Sequence, residues 1–402
     1  MKHTHTHTHV YEWMCFGEET FKKLRLNAPP GGWFPTLQDL SFCIKESNIP
    51  YAELFFSPHL KRISILLTVA WKYTGVPLRV LPTLVPTLSA LPTSSLERIS
   101  VHTRHRMVPW AHLKDLFSSI VLRCGSSFTE YDSPVPLSDA ALHHLIQLPH
   151  LRTWYIYGPP PTCPTSSLPL VFPPLRELTL GEDATRGWLP LLKRLDGGVA
   201  TAQGVTPLSK AKESLKVLNV KETFGIGIDP SSVSTIQYFR NLVRLNVERC
   251  CHDEYDNGQC IFKLNNDNIA DLTMALTQLE SLLLGHACFK NTCLTTIACF
   301  LPISVYCSKL RKLEIHFNTT KIVDNFKNIL GDPRFHQLRS LPRCPLVCLD
   351  AGQIPLSLDE SGSETVVKGL IDIFPSLTRC KGLERSWDKL SEGIAKFRED
   401  SE

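Results

Sequence analysis

Eleven copies of one apolar phrase, helical spacing in the stretches between them, and intervals of 23 to 40 residues from copy to copy predict an α/β fold. That fold is an irregular leucine-rich-repeat solenoid, a horseshoe with a parallel sheet on its concave face and helices on its convex face. The phrase is Leu, two variable residues, an aliphatic residue, one variable residue and a second aliphatic. It runs as Leu37-Gln-Asp-Leu40-Ser-Phe42, Leu60-Lys-Arg-Ile63-Ser-Ile65, Leu96-Glu-Arg-Ile99-Ser-Val101, Leu151-Arg-Thr-Trp154-Tyr-Ile156 and Leu175-Arg-Glu-Leu178-Thr-Leu180. It continues as Leu215-Lys-Val-Leu218-Asn-Val220, Leu242-Val-Arg-Leu245-Asn-Val247, Leu279-Glu-Ser-Leu282-Leu-Leu284 and Leu310-Arg-Lys-Leu313-Glu-Ile315. Weaker copies stand at Phe128-Thr-Glu-Tyr131 and Pro345-Leu346-Val-Cys-Leu349. The closing apolar pair is two residues apart, so both side chains share one face of a short strand and the residue between them faces the other way.

The stretches between phrases complete the repeat unit. Leu137 to Leu148 and Leu264 to Leu276 carry apolar residues three and four apart, the stripe of an amphipathic helix, with Ser138 or Asp267 placed to cap the helix start. Regular arrays of this kind repeat every 20–29 residues or so, so the longer intervals here signal insertions. The largest are Pro159 to Pro174, which holds seven prolines, and Leu192 to Ala211; both read as surface loops. A helical stretch from Glu364 to Phe397, with Val367, Leu370, Ile373, Leu377 and Leu383, is expected to cap the open end of the stack. The organisation expected is thus a His/Thr-rich tail and N-terminal cap over 1–26, the repeat array over 27–350 and a C-terminal helical cap over 351–402. A doubly wound sheet also alternates strands and helices, but it rarely repeats one Leu spacing in every strand.

Composition narrows the function classes without naming one. Of 402 residues, 43 are Lys or Arg and 39 are Asp or Glu, a net charge of +4 that is interspersed and argues for neither nucleic acid nor an anionic membrane. Hydrophobic residues at 43% supply a core. The amino terminus has no basic stretch followed by an apolar run, so no signal peptide is read there. The longest uncharged run, Asn291 to Ser308, is interrupted by Thr, Pro and Ser and reads as a buried amphipathic helix. Fourteen irregularly spaced cysteines without an export signal read as reduced thiols in cytoplasm or nucleus, and the sequon Asn318-Thr319-Thr320 lacks a secretory context.

The search for chemistry turns up fragments. Gly225-Ile-Gly227 lacks the third glycine of a dinucleotide loop, and Pro230 follows where a helix should open. Asp253 to Gly258 resembles the front of a calcium loop, but its twelfth position is Leu264 where a bidentate Glu is needed. Cys250-Cys251-His252 with Cys260, and Cys344 with Cys348, lack the paired close spacing of a zinc site. His3, His5, His7 and His9 alternate with threonine in what reads as a tail. Arg104 with His102 and His105 offers a hydrolase a base, but spacing places no nucleophile beside it. No nucleophile elbow, Walker loop, zinc-protease helix or kinase loop occurs. No cofactor, metal or catalytic residue is expected, and the chain is read as a non-enzyme.

Several segments resemble the fungal F-box proteins whose carboxy-terminal part is an irregular leucine-rich-repeat domain. They are Asn27 to Leu37 (NAPPGGWFPTL), Tyr51 to Leu60, Leu137 to Leu142 leading into Leu148-Pro-His-Leu151, Leu170 to Gly181, Cys307 to Asn318 and Phe374-Pro-Ser-Leu377. The resemblance implies a substrate adaptor for ubiquitin-dependent protein degradation: an amino-terminal F-box docks the Skp adaptor of an SCF-type ubiquitin ligase, and the repeats grip the target. Residues 1 to 36 hold no Leu-Pro-led helical segment of the F-box kind. The Skp adaptor is therefore expected as a partner only where the gene supplies an F-box ahead of Met1. The alternatives are an F-box-less scaffold with no ubiquitin role and an unrecognised enzyme.

The repeat geometry itself names a binding face. If the aliphatic positions face the core, the residues between them line the concavity: Arg62, Ser64, Arg98, Ser100, Thr153, Tyr155, Glu177, Thr179, Asn219, Arg244, Asn246, Ser281, Lys312 and Glu314. Four basic against two acidic side chains lean toward an acidic or phosphorylated segment of a target protein, and Arg and Tyr are types enriched at interface hot spots. Trp71, Trp154 and Trp188 read as core or loop anchors.

Overall fold

The computed structural model describes residues 18–29, 33–44, 49–67, 81–103, 113–156, 174–181, 213–222, 230–249, 262–285, 293–338, 341–352, 354–382 and 384–400. The chain divides into two compact units, Met1–Leu175 and Arg176–Glu402. In the first, α1 (Glu18–Leu26) precedes β1 (Asp39–Ile44), a 3-10 turn (Ile49–Phe55) and β2 (Arg62–Leu67). There follow α2 (Leu81–Ser89), β3 (Arg98–Thr103), α3 (Lys114–Leu122), β4 (Glu130–Ser133), α4 (Asp139–Gln147) and β5 (Thr153–Ile156). The five strands pair in chain order and all are parallel.

The second unit repeats the scheme. Its strands are β6 (Glu177–Leu180), β7 (Val217–Glu222), β8 (Arg244–Arg249), β9 (Ser281–Leu284), β10 (Lys312–Ile315), β11 (Cys348–Asp350) and β12 (Arg379–Lys381). They too are parallel and adjacent in chain order. Between them lie α5 (Pro230–Ile236), α6 (Asn266–Ala275), α7 (Phe300–Tyr306), α8 (Ile322–Gly331), α9 (Pro333–Leu338) and α10 (Glu360–Ile373), and α11 (Arg385–Glu399) closes the unit. This is a leucine-rich-repeat solenoid fold, and all eleven phrases are strands of it.

The phrase forms the repeat because its three apolar positions bury together. Leu60, Leu96, Phe128, Leu151, Leu242, Leu279 and Leu310 are fully buried, as are the partners Ile63, Ile99, Leu245, Leu282 and Leu313 within a few per cent. Successive turns are also tied by side chains: the Ser95 hydroxyl donates to the Leu60 carbonyl at 2.9 Å, and the Ser127 hydroxyl to the Leu96 carbonyl at 3.2 Å. Trp154 is core, as expected. At the first turn, Leu37, Leu40 and Phe42 are only partly buried and lean on the aromatic cluster Phe21, Tyr51 and Phe55, where α1 stacks Phe21 on Tyr51 at 5.6 Å.

Three expectations change. Ser138 does cap α4, accepting from the Ala141 N–H, but α6 is capped by Asn265 rather than Asp267, in a reciprocal box with Asn268. The cause is position: Asp267 already lies inside the first turn, one residue beyond Asn266. The helical stretch Glu364 to Phe397 is two helices with a strand between them, because Leu377 and Cys380 supply the buried positions of a twelfth phrase. The β12 edge is then closed by α11, where the Ser391 hydroxyl accepts from the Cys380 N–H at 2.8 Å and donates to its carbonyl at 2.6 Å. The run Asn291 to Ser308 becomes a 3-10 turn (Ile297–Cys299) followed by α7, a seven-residue helix burying Phe300 and Ile303. Among the described residues no helix is long and apolar enough to cross a membrane. The His3–His9 run, Trp71, Arg104, His105, Trp188, the Leu192–Ala211 insertion, Gly225–Gly227, Asp253–Gly258, Cys250–His252 and Cys260 lie outside the described residues, as does Pro159–Pro174 apart from Pro174.

Candidate functional site

In each unit the strand face opposite the apolar side chains carries polar residues in registered rows. On the first unit one row reads Asp39, Arg62, Arg98, Glu130, Thr153, and the next reads Ser41, Ser64, Ser100, Asp132, Tyr155. The first row is internally neutralised. Arg62 clamps Asp39 through two nitrogens, and that hydrogen bonding holds the guanidinium proton more firmly than usual. Arg98 reaches Glu130 at 3.1 Å. Thr153 and Tyr155 are half-buried.

The second row brings His102 together with two groups that spacing alone did not link to it. Ser100 Oγ lies 2.7 Å from His102 Nε2 and donates to Asp132 Oδ2 at 3.1 Å, while Asp132 stands 3.7 Å from the same imidazole nitrogen. These are the residue types of a nucleophilic triad without its geometry. A triad needs the carboxylate on Nδ1 and the hydroxyl proton directed at Nε2. Here both partners face Nε2, and a hydroxyl proton given to Asp132 leaves Nε2–H to donate to Oγ. Ser100 is also only 1% exposed. The cluster ties β3 to β4.

On the second unit the corresponding rows are Glu177, Val217, Arg244, Ser281, Lys312, Cys348, Arg379 and Thr179, Asn219, Asn246, Leu283, Glu314, Asp350, Lys381. The Asn219 amide donates to Glu177 at 3.2 Å and to Thr179 at 3.1 Å, and the Asn246 amide donates to Glu248 at 2.9 Å. Lys312 is ion-paired with Glu314 two residues along its own strand. Arg244, Arg379 and Lys381 are exposed and, among the described residues, engage no carboxylate.

Within each unit the expected residues stand side by side on one strand face, but their access is uneven. Arg62, Arg98, Arg244 and Lys312 are exposed; Ser64, Glu177, Asn219, Asn246 and Ser281 are partly buried. Ser100, Thr179 and Glu314, at 1%, 0% and 5% exposure, are buried supports rather than contact surface. The reason is size: short side chains sink between longer neighbours, and Glu314 folds down onto Lys312. Sequence reasoning also missed the anions Asp39 and Glu130 that neutralise two of its four cations, and the cations Arg379 and Lys381 on the unread strand. Asp39 lay in plain view inside the first phrase.

Burial pushes the thiols of Cys124, Cys307, Cys344 and Cys380 up to about 12, and raises Cys299 too. The eight described cysteines form no disulfide with one another, and Cys344 and Cys348 are both buried. Among the described residues no three His, Cys, Asp or Glu side chains gather where they could hold a metal ion. An open, mostly polar groove at the ends of α5 and α6 is lined by Gln237, Arg240, Asp271, Met274 and Gln278.

No family model matches the chain, and no curated protein does. Among solved structures it is similar to the Rad7 and Elc1 complex of yeast, at 15% identity and a TM-score of 0.41 over 88% of this chain and 84% of that one. An internalin from Listeria monocytogenes matches at 13% identity and a TM-score of 0.38, over 93% of this chain and 92% of that one. A protein from Bacteroides fragilis matches at 11% identity and a TM-score of 0.29, over 89% and 71%. The leucine-rich-repeat fold follows from the strand registers and the buried phrase positions, not from these distant likenesses.

Proposed function

We propose that the chain is a protein-binding leucine-rich-repeat receptor that holds a target on the open faces of its strands. Its role would be the substrate-recognition part of an F-box subunit of an SCF-type ubiquitin ligase. The observation that carries the reading is the exposed, registered array of arginines and lysines on the strand face, set against an opposite face that is apolar and, beyond the first turn, buried. Such a surface offers many shallow polar contacts to an extended partner, which suits recognition of another chain. The SCF role comes from the family resemblance alone.

A second reading is a scaffold with no ubiquitin role, which would use the same strand face to hold its partner. One experiment separates the readings. The full chain is expressed with an affinity tag, captured proteins are cross-linked, and the cross-linked sites are mapped. Sites concentrated around Lys221, Lys312 and Lys381 support a strand-face receptor, and sites confined to the helices contradict it. Depleting the chain should lengthen the half-life of a captured protein if it is a ligase substrate. An unchanged half-life leaves the scaffold.

A further inference from the structure

We infer that the open face of β8 to β12 docks an extended, acidic protein segment that runs across the strands with a carboxylate at every third residue. The inference rests on the protein-binding reading above and specifies the partner. Arg244, Ser281, Lys312, Cys348 and Arg379 are consecutive in register, so long cations stand on alternate strands with short residues between them. The last step, Cys348 to Arg379, is in the same register. Neighbouring strands are about 4.8 Å apart, which sets the cations roughly 9.6 Å from one another. A polyproline II segment has three residues per turn at about 3.1 Å each, so side chains three apart point the same way and lie roughly 9.3 Å apart. The two repeats match within the reach of an arginine.

Charge favours such an occupant over other anions. Arg244 and Arg379 are exposed and engage no carboxylate among the described residues, and Lys381 adds a third free cation beside Arg379. A guanidinium presents a planar fork that a carboxylate can meet through both oxygens. The adjoining row carries Leu283, Glu314 and Asp350, with Glu314 held by Lys312. Those acids repel a uniformly charged polyanion but tolerate a segment whose other residues are neutral. Neither row holds an aromatic side chain from β8 to β12 on which a base could stack. A nucleic acid therefore fits poorly.

The test uses the full chain and fluorescence anisotropy with a labelled twelve-residue peptide carrying Asp at every third position, with Pro and Ala between. Controls are the same composition with the Asp residues adjacent, a Lys-for-Asp version, a phosphoserine-for-Asp version and a twelve-nucleotide single-stranded DNA. The spaced Asp peptide should bind best, with affinity falling as salt rises. Arg244→Ala with Arg379→Ala should weaken it by about tenfold or more, each exposed contact contributing a hot-spot share. Lys381→Gln should weaken it less, and Lys327→Ala, exposed on helix α8 away from the strand face, not at all. Both sets of variants should melt like the parent. Binding that ignores the spacing, prefers DNA, needs phosphoserine or survives the double substitution overturns the inference. If a captured protein cross-links to β1 to β5 while the spaced peptide fails to bind, this inference falls and the protein-binding reading stands.

Discussion

On β1 to β4 each arginine of the open face meets a carboxylate on the next strand, Arg62 with Asp39 and Arg98 with Glu130, whereas on β8 to β12 Arg244 and Arg379 stand apart with short side chains between. The backbone register is the same in both places, so the strand geometry does not decide the chemistry. What decides it is whether the residue one repeat away, at the same phrase position, is an acid. In the first unit it is, and the face spends its charge on holding neighbouring turns together. Exposed pairs of this kind contribute only about 0.2–1 kcal/mol each, but they leave little for a partner. In the second unit Ser281 and Cys348 occupy those positions; Lys312 turns to Glu314 on its own strand, and Arg244 and Arg379 remain available.

The largest expected effect tests the two faces of a single strand. Leu245 is fully buried while its neighbour Arg244 is exposed. Truncating a buried leucine costs about 2–5 kcal/mol, and an unpaired buried carboxylate costs more. Leu245→Asp should abolish the cooperative melt of the second unit, and Arg244→Ala should leave it within about 0.5 kcal/mol of the parent. Circular dichroism melts read both, and tolerance of Asp at position 245 would mean that the register is wrong.

Next in size is a steric change confined to the second unit. A methyl group on Gly369 of α10 would overlap the Phe326 ring of α8. Gly369→Ala should therefore cost about 1–3 kcal/mol through overpacking, even though alanine favours helix. A stabilised variant in a denaturant titration would show that α8 and α10 are not packed as described.

A smaller, pH-dependent effect also separates the units. The thiols of Cys307, Cys344 and Cys380 lie in the second unit and that of Cys124 in the first, all pushed up by burial from about 9 to about 12. A raised folded value favours the neutral thiol, so its contribution is complete below pH 9 and is lost as pH climbs toward 12. Each thiol then removes up to about 1.4 kcal/mol per pH unit. Stability should be flat from pH 7 to 8.5 and fall above 9. Hydrogen exchange should show β10 to β12 losing protection before β3 and β4. Burial also raises Tyr131 on β4, so the first unit should follow at higher pH, and loss of β3 and β4 ahead of β10 to β12 would contradict the burial of the thiols.

Much of this was legible in the sequence because burial repeats. A leucine that must sink into the stack at each turn leaves a fixed spacing, and eleven strands could be read from it. The twelfth escaped because Cys380 stands where an aliphatic residue usually does and β12 ends after Lys381, without a second apolar position. Its flanks then merged into one helical pattern. The face was only half legible. Alternation shows which side chains point outward, but pairing depends on which residues of distant phrases become neighbours. Asp39 and Arg62 are 23 residues apart, and Ser100 and Asp132 are 32 apart. Burial of Thr179 and Glu314 depends on the length of the side chains around them, which no single phrase reveals.

The contrast between the two faces can be read in one pair of thermal melts with charge-reversed variants. Arg62→Glu with Arg98→Glu puts like charges opposite Asp39 and Glu130, so its melting temperature should drop by several degrees. Arg244→Glu with Arg379→Glu removes no ion pair and should melt like the parent. Equal drops, or a drop only in the second variant, would show that the free cations of β8 to β12 are engaged within the fold and are not available to a partner.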